Sequence, residues 1–173
     1  MLPMVPLSTE LLRELALFGG LSDDVLTQLA EALQTLSHSA GSVIFREGEA
    51  AHEMYVILDG ELEVLKRSRR GRESRVAVLG PGDNLGEMAL IDMQNRSATV
   101  RAIAPTRLLR ITSEDMGALY RNDLKAYALI VLNIARDLSR RLRVSDGIMA
   151  DFIANVLDEF VQRARTRPTD PPA

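Results

Sequence analysis

Residues 80–100 read Gly-Pro-Gly-Asp-Asn-Leu-Gly-Glu-Met-Ala-Leu-Ile-Asp-Met-Gln-Asn-Arg-Ser-Ala-Thr-Val, a glycine-rich turn followed by a short helix-like piece and an isolated arginine. That order of residue types suits an anion. Gly86 lets backbone N–H groups approach a ligand closely, and the amides opening a turn over 87–90 point partial positive charge at it. Arg96 adds a permanently charged, planar group able to grip two phosphate oxygens at once. Glu87 would repel those oxygens, so its carboxylate is expected to turn aside and accept from sugar hydroxyls. Together they suit a ribose phosphate.

The rest of the composition narrows the field. The 173 residues carry 21 Lys plus Arg against 24 Asp plus Glu, a formal charge of -3, so no global positive field marks a nucleic-acid coat or an anionic membrane partner. Four Phe, three Tyr and no Trp are too few for the stacking platforms of single-strand binders. The absence of cysteine removes disulfides, thiolate catalysis and sulfur-ligated zinc, and His38 and His52 have no ligand-type spacing. No Ser/His/Asp set and no phosphate loop with Lys appears, so the chain is read as a non-enzyme without metal or cofactor. The start has prolines at 3 and 6 and no basic residue, and the longest apolar run is 126–132, so a cytoplasmic protein without membrane insertion is expected.

The cassette needs a frame, and the periodicity supplies one. Over 8–36 the pattern is helical, with Ser22 as an N-cap, Asp23 and Asp24 in the first turn, and Val25, Leu26, Leu29 and Leu33 on one face. Over 37–111 the period becomes that of strands, at 42–45, 54–58, 61–65, 75–79, 98–103 and 107–111, punctuated by glycines. Such spacing predicts a closed or rolled antiparallel β-structure. Past Ile111 a capping segment, Thr112-Ser113-Glu114-Asp115, opens a helical stretch with Leu124, Tyr127, Val131, Ile134, Leu138 and Leu142 at intervals of three and four. Gly147 is a candidate break, after which Met149, Phe152, Ile153, Val156, Leu157 and Phe160 form a second stripe. The fold class is therefore α+β: an antiparallel β-roll, jelly-roll-like, with N-terminal helices and a long C-terminal helix plus one further helix. The divisions expected are an extension over 1–10, the domain with its closing helix over 11–146, an extra helix over 147–165 and a disordered Pro-rich tail over 166–173.

Residues 85–100 resemble the phosphate-binding cassette of cyclic-nucleotide-binding domains, whose pattern is Phe-Gly-Glu-Leu-Ala-Leu, a few variable residues, then Pro-Arg-Ala/Ser-Ala-Thr-Val. The resemblance extends over about 11–146, through Phe18-Gly-Gly-Leu-Ser, Ile44-Phe-Arg-Glu-Gly-Glu, Met54-Tyr-Val-Ile-Leu-Asp-Gly-Glu-Leu-Glu-Val and Asn133-Ile-Ala-Arg-Asp-Leu-Ser-Arg-Arg-Leu-Arg. It implies a catabolite-activator-type β-roll sensor. By the same resemblance Arg96 binds the cyclic phosphate and Glu87 the ribose 2'-hydroxyl. Gly86, Ala89 and Ala98 shape the cradle, and Ser97 bonds the phosphate and reaches toward the base. Leu85 and Met88 complete the matched ligand-binding positions. Leu85 stands where the family has Phe and Asn95 where it has Pro, which gives a smaller wedge and a less preorganised loop. From the closing helix, Ser145 is the candidate for a hydroxyl over the purine and Asp146 for an acceptor of an adenine amino group. Ser97 favours cAMP over cGMP as the ligand.

Alternatives stay open at this point. The second reading is an empty roll in which Glu87 and Arg96 pair with each other and which serves as an interaction or dimerisation module. The basic hairpin residues Lys66, Arg67, Arg69, Arg70, Arg72 and Arg75 suit either an acidic partner or a solvated edge, and the arginines of the long helix (136, 140, 141 and 143) suit a solvated or dimer-flanking face. Spacing through Leu124, Val131, Leu138 and Ser145 predicts a homodimer. A helix-turn-helix unit needs on the order of 50 further residues, so direct DNA binding is not expected unless the chain is the sensor half of a transcription factor. The expected partners are a cyclic purine nucleotide and an effector protein that the sequence does not identify.

Overall fold

The computed structural model describes residues 7–165, with the side chains of Ala89 and of 161–165 outside the description. The segments 1–6 and 166–173, and with them most of the expected extension and the expected tail, lie outside the described residues. Two short helices open the chain. Helix α1 (Thr9–Glu14) is capped by Ser8, whose hydroxyl accepts from the Leu11 amide at 3.2 Å. A 3-10 turn (Ala16–Phe18) leads to α2 (Asp23–Ala32), which begins at Ser22 with extended backbone, though the Ser22 hydroxyl makes no capping bond. The helical period read through residue 36 stops early. Residues Gln34–His38 are strand β1, because each pairs with the strand Thr106–Thr112 in unbroken register, from Gln34 opposite Arg110 to His38 opposite Thr106. A sheet ladder outweighs the weak local preference that Leu33 and Leu36 suggest.

The remaining strands are β2 (Val43–Phe45), β3 (Glu53–Asp59), β4 (Leu62–Arg67), β5 (Glu73–Leu79), β6 (Asn84–Leu85), β7 (Thr99–Ala102) and β8 (Thr106–Thr112). They form two antiparallel four-stranded sheets, in the orders β1-β8-β3-β6 and β2-β7-β4-β5. Alternation sends one face of β7 inward, whereas residues 54–57 of β3 are buried on both faces and residues 73–78 of β5 are exposed on both. Phe45, Leu62, Val100 and Ala102 from one sheet meet Tyr55, Ile57, Leu85 and Leu108 from the other in a single buried cluster, as a β-roll requires. Leu62 and Leu108 have no exposed surface, so truncating either to Ala is expected to cost about 2–5 kcal/mol. The β3–β4 turn is held by Gly60 at φ +93°, where an added Cβ would lie 2.5 Å from the Pro105 carbonyl oxygen.

Helix α3 (Met88–Asp92) interrupts the second half of the roll, and α4 (Ser113–Asn122) follows it. The expected cap of α4 is present as a reciprocal box: the Asp115 amide donates to the Thr112 hydroxyl at 3.1 Å, and the Thr112 amide to the Asp115 carboxylate at 2.8 Å. Asp123 then breaks the chain direction and caps the next helix by accepting from the Ala126 amide at 2.9 Å.

Helix α5 (Leu124–Arg165) runs 42 residues without interruption. Gly147 therefore does not separate two helices. A single glycine costs only about 1 kcal/mol against Ala, and the helix formers on both sides absorb that. Over its first turns the buried row is Ala126, Ile130 and Ile134: Ile134 belongs to the stripe the sequence suggests, Ala126 and Ile130 each stand one position before the stripe residues Tyr127 and Val131, and Leu124 is exposed. The side-chain amide of Asn133 donates to the carbonyls of Leu17 and Gly19, both at 3.0 Å. Residues up to Ile134 form one compact unit and those from Ala135 onward a second. Within the second, Asp137 holds both Arg140 and Arg141, the latter at 2.8 Å, and Leu142, Ile148, Met149, Phe152, Ile153, Leu157 and Phe160 are all more than half exposed.

Candidate functional site

The cassette begins where β6 pairs with β3. Leu85 lies opposite Tyr55 and is buried in the core, the place the family gives to a larger wedge. Gly86 follows at φ +78°, and a Cβ there would sit 2.2 Å from Arg96 Nη1 and 3.3 Å from the Glu53 carbonyl oxygen. Glycine is required twice over, by the left-handed backbone and by the arginine lying across it.

Arg96 is only 4% exposed. Its Nη1 donates to the Glu53 carbonyl at 2.8 Å and to the Gly86 carbonyl at 3.3 Å, and its guanidinium stacks 4.0 Å from the centre of the Phe45 ring, with Tyr55 on a second side at 5.8 Å. Its backbone is fixed as well: the Arg96 amide donates to the Glu49 carbonyl and the Gly48 amide to the Arg96 carbonyl, both at 2.9 Å. Burial lowers the proton affinity of the guanidinium, opposed by Tyr55, Glu53, Glu49 and, last, Glu87. The bonds that hold Arg96 thus run to carbonyl oxygens. Its nearest carboxylate oxygen in an ion pair is Glu53 Oε1, 4.0 Å from Nη2.

Glu87 is buried at the start of α3, and its carbonyl accepts from the amides of Leu90 (3.1 Å) and Ile91 (3.3 Å). Met88 and Ser97 are exposed side by side, with the Ser97 hydroxyl 4.0 Å from the Met88 sulfur, and Ala98 is buried beneath them. The short helix ends at Met93, in left-handed backbone at φ 54°. The Arg96-Ser97 segment is braced from outside: Lys66 Nζ donates to the Ser97 carbonyl and pairs with Glu47 at 2.7 Å, while the Glu47 amide donates to Thr99 Oγ1 at 3.0 Å. The first residue of the basic run is therefore part of the cassette's support rather than of a solvated edge.

The sequence-predicted residues Leu85, Gly86, Glu87, Met88, Ala89, Arg96, Ser97 and Ala98 fall in one continuous segment folded about Gly86 and Arg96. Ser145 and Asp146 lie in the second unit, exposed on α5. Sequence reasoning gave no role in the site to Phe45, Glu47, Glu53 or Tyr55, and placed Lys66 only in the basic hairpin. Phe45 and Tyr55 form the stacked pair under Arg96, at 6.3 Å between ring centres. Glu53 gathers Tyr55, whose hydroxyl donates to Oε1, and Arg110, whose guanidinium forms an ion pair with Oε2, Nε at 2.9 Å. Burial and the Glu53 bond push the Tyr55 hydroxyl well above the ordinary phenol range. Phe45 and Tyr55 read in the sequence only as core positions of β2 and β3, and nothing in it ties Glu47, Glu53 or Lys66 to the cassette.

A family model described as the cyclic nucleotide-binding domain matches residues 35–123, from β1 to the end of α4. The chain is 34% identical over 130 residues to the cyclic AMP receptor protein of Thermus thermophilus, covering 75% of this chain and 58% of that protein. It is 30% identical over 144 residues to a CRP-like cAMP-activated global transcriptional regulator of Mycobacterium tuberculosis, covering 83% of this chain and 62% of that one. A solved cyclic nucleotide-binding domain from Methylobacillus flagellatus superposes with a TM-score of 0.75 at 26% identity, covering 83% of this chain and 81% of its own. The chain spans about three fifths of the length of these two curated relatives. Among the described residues no helix is long and apolar enough to cross a membrane. The match runs through both sheets, the cassette and the Gly86-Arg96 crossing, and the chain belongs to the cyclic nucleotide-binding domain family, a regulatory rather than a catalytic module.

Proposed function

We propose that this chain is a receptor for a cyclic purine nucleotide, cAMP in preference to cGMP, and that binding regulates a separate effector through its C-terminal helices. The observation that carries the reading is the crossing of Arg96 over Gly86. A buried guanidinium held by carbonyls on Nη1 makes no hydrogen bond through Nε or Nη2 among the described residues, and two such donors match a phosphate. Glu87, buried next to Gly86, is assigned to accept from the ribose 2'-hydroxyl, and Ser97, exposed beside Met88, to bond the phosphate or the base. Cyclic AMP is favoured on Ser97 and on the names of two relatives, one a cyclic AMP receptor and one cAMP-activated.

Calorimetric titration of the chain with cAMP and with cGMP tests this. Saturable uptake of cAMP at least tenfold tighter than cGMP, about 1.4 kcal/mol, is expected, and a cGMP preference of that size overturns the base assignment. Heat with neither nucleotide selects the second reading, a ligand-free interaction module, which the stacking of Arg96 on Phe45 and its carbonyl bonds favour because they already satisfy part of the buried charge.

The output is assigned to α5, with Ser145 and Asp146 as purine contacts and a second copy of the chain on the apolar seam through Leu124, Val131, Leu138 and Ser145. The exposed apolar residues of 142–160 support association, since large apolar surfaces are rarely left in water. Hydrogen exchange with and without saturating cAMP should show slower exchange over 123–146 as well as over 85–98. Protection confined to the cassette would separate binding from transmission. Sedimentation at rising concentration should show a dimer, and a monomer throughout removes that part.

A further inference from the structure

A buried arginine 4.0 Å from a carboxylate ordinarily closes on it as a short, forked pair. Arg96 and Glu53 do not. Each oxygen of Glu53 already has a nearer partner, Oε1 the Tyr55 hydroxyl and Oε2 the Arg110 guanidinium, which pairs with it through Nε at 2.9 Å. The β3–β8 register explains how: Tyr55 lies directly opposite Arg110, and Glu53 precedes Tyr55 by two residues, so all three side chains occupy one face and Glu53 meets Arg110 on the diagonal. The carboxylate therefore pairs with the more exposed of its two cations, since Arg110 is 36% exposed and Arg96 only 4%.

We propose that Arg110 is a positioning residue for the phosphate site, holding Glu53 away so that Arg96 keeps its charge for an anionic ligand. The proposal rests on the nucleotide-receptor reading above and adds to it a residue outside the cassette. Without Arg110, Oε2 is released, Glu53 closes on Arg96, and a phosphate must then compete with a carboxylate already in place. Without Glu53 there is no competitor, and Arg110 becomes dispensable for binding. A purely structural role for Arg110 predicts the opposite, a loss that persists whatever stands at position 53.

Four chains decide it: the natural one, Arg110→Gln, Glu53→Gln and the double variant, each titrated with cAMP by calorimetry. Arg110→Gln should bind about tenfold more weakly, Glu53→Gln no more weakly than the natural chain, and the double variant within about twofold of Glu53→Gln. Arg110→Lys, which keeps a cation for Glu53, should fall between the natural chain and Arg110→Gln and serves in its place should that variant not fold. An Arg110→Gln affinity equal to the natural one, or a double variant as weak as Arg110→Gln, overturns the proposal while leaving the receptor reading intact. Ligand-free nitrogen-15 spectra of the Arg96 guanidinium give an answer independent of cAMP. Its resonances should shift in Arg110→Gln and return in the double variant, and identical spectra in all four chains overturn the proposal even if the natural chain takes up no nucleotide.

Discussion

Arg96 and the arginines at the β4–β5 turn carry the same group in opposite surroundings. Arg96 is alone in its segment, almost without exposure, stacked on Phe45 and held by two carbonyls. Arg67, Arg69, Arg70 and Arg72 crowd around Gly71 and are all exposed, at a turn held by Ser68 through the bonds Ser68 amide to Arg72 carbonyl (2.8 Å) and Gly71 amide to Ser68 carbonyl (2.9 Å). Four charges in water, screened and mobile, do less for a ligand than one that has been desolvated and aimed. On the proposed reading, burial rather than the number of cations separates a binding group from a solubilising one.

Removing the buried charge tests that contrast most severely. Arg96→Ala should abolish measurable cAMP binding by calorimetry, a loss of roughly 2–5 kcal/mol, while circular dichroism shows the roll still folded; undiminished affinity would remove the site. Gly86→Ala attacks the same crossing from below. A Cβ 2.2 Å from Nη1 on left-handed backbone should lower stability by about 1–3 kcal/mol in denaturant titration and weaken cAMP as well, and a variant as stable as the natural chain would show that the arginine need not lie there. Glu87→Gln should weaken cAMP less than Arg96→Ala, because a carboxamide oxygen still accepts from a hydroxyl; equal losses would move Glu87 from the sugar to a charge-balancing role.

His38 extends the contrast to a half-buried group. Burial lowers its pKa below the usual 6.5, and its Nε2 makes no hydrogen bond among the described residues. The unfolded chain therefore binds a proton that the folded chain refuses, so this contribution to stability is present above about pH 6.5 and is lost as pH falls through the depressed folded value. His38→Gln should flatten that part of the acid limb in urea titrations at several pH values, and an unchanged limb would show that the fold is indifferent to its charge. The smallest effect belongs to the exposed arginines. Replacing Arg69, Arg70 and Arg72 together by Ser should leave cAMP affinity within about twofold and stability within about 0.5 kcal/mol, and a large loss of binding would mean that distant surface charge matters after all.

What was legible in the sequence follows the same division. The strands at β2, β3, β4, β5, β7 and β8 announce themselves because alternation and glycine turns are local signals. Strand β1 was hidden inside a helical period, since only its pairing with β8 makes it a strand, and β6 is two residues long in a glycine-rich stretch. Gly86, Glu87 and Arg96 could be read because they lie within eleven residues of one another. Glu53 and Arg110 could not, because they are brought to Arg96 by the register of β3 on β8 and of β6 on β3, and no spacing along the chain records a register.

Asn133 has a further consequence. Its amide nitrogen has two protons, and the carbonyls of Leu17 and Gly19 take both, across more than a hundred residues of chain. One residue of rotation turns a helix by about 100°, which would carry the amide away from both acceptors at once. The 3-10 turn and the tenth residue of α5 are thus geared together: a signal that rotates α5 there must either drag the 3-10 turn along or strip two hydrogen bonds to leave it behind.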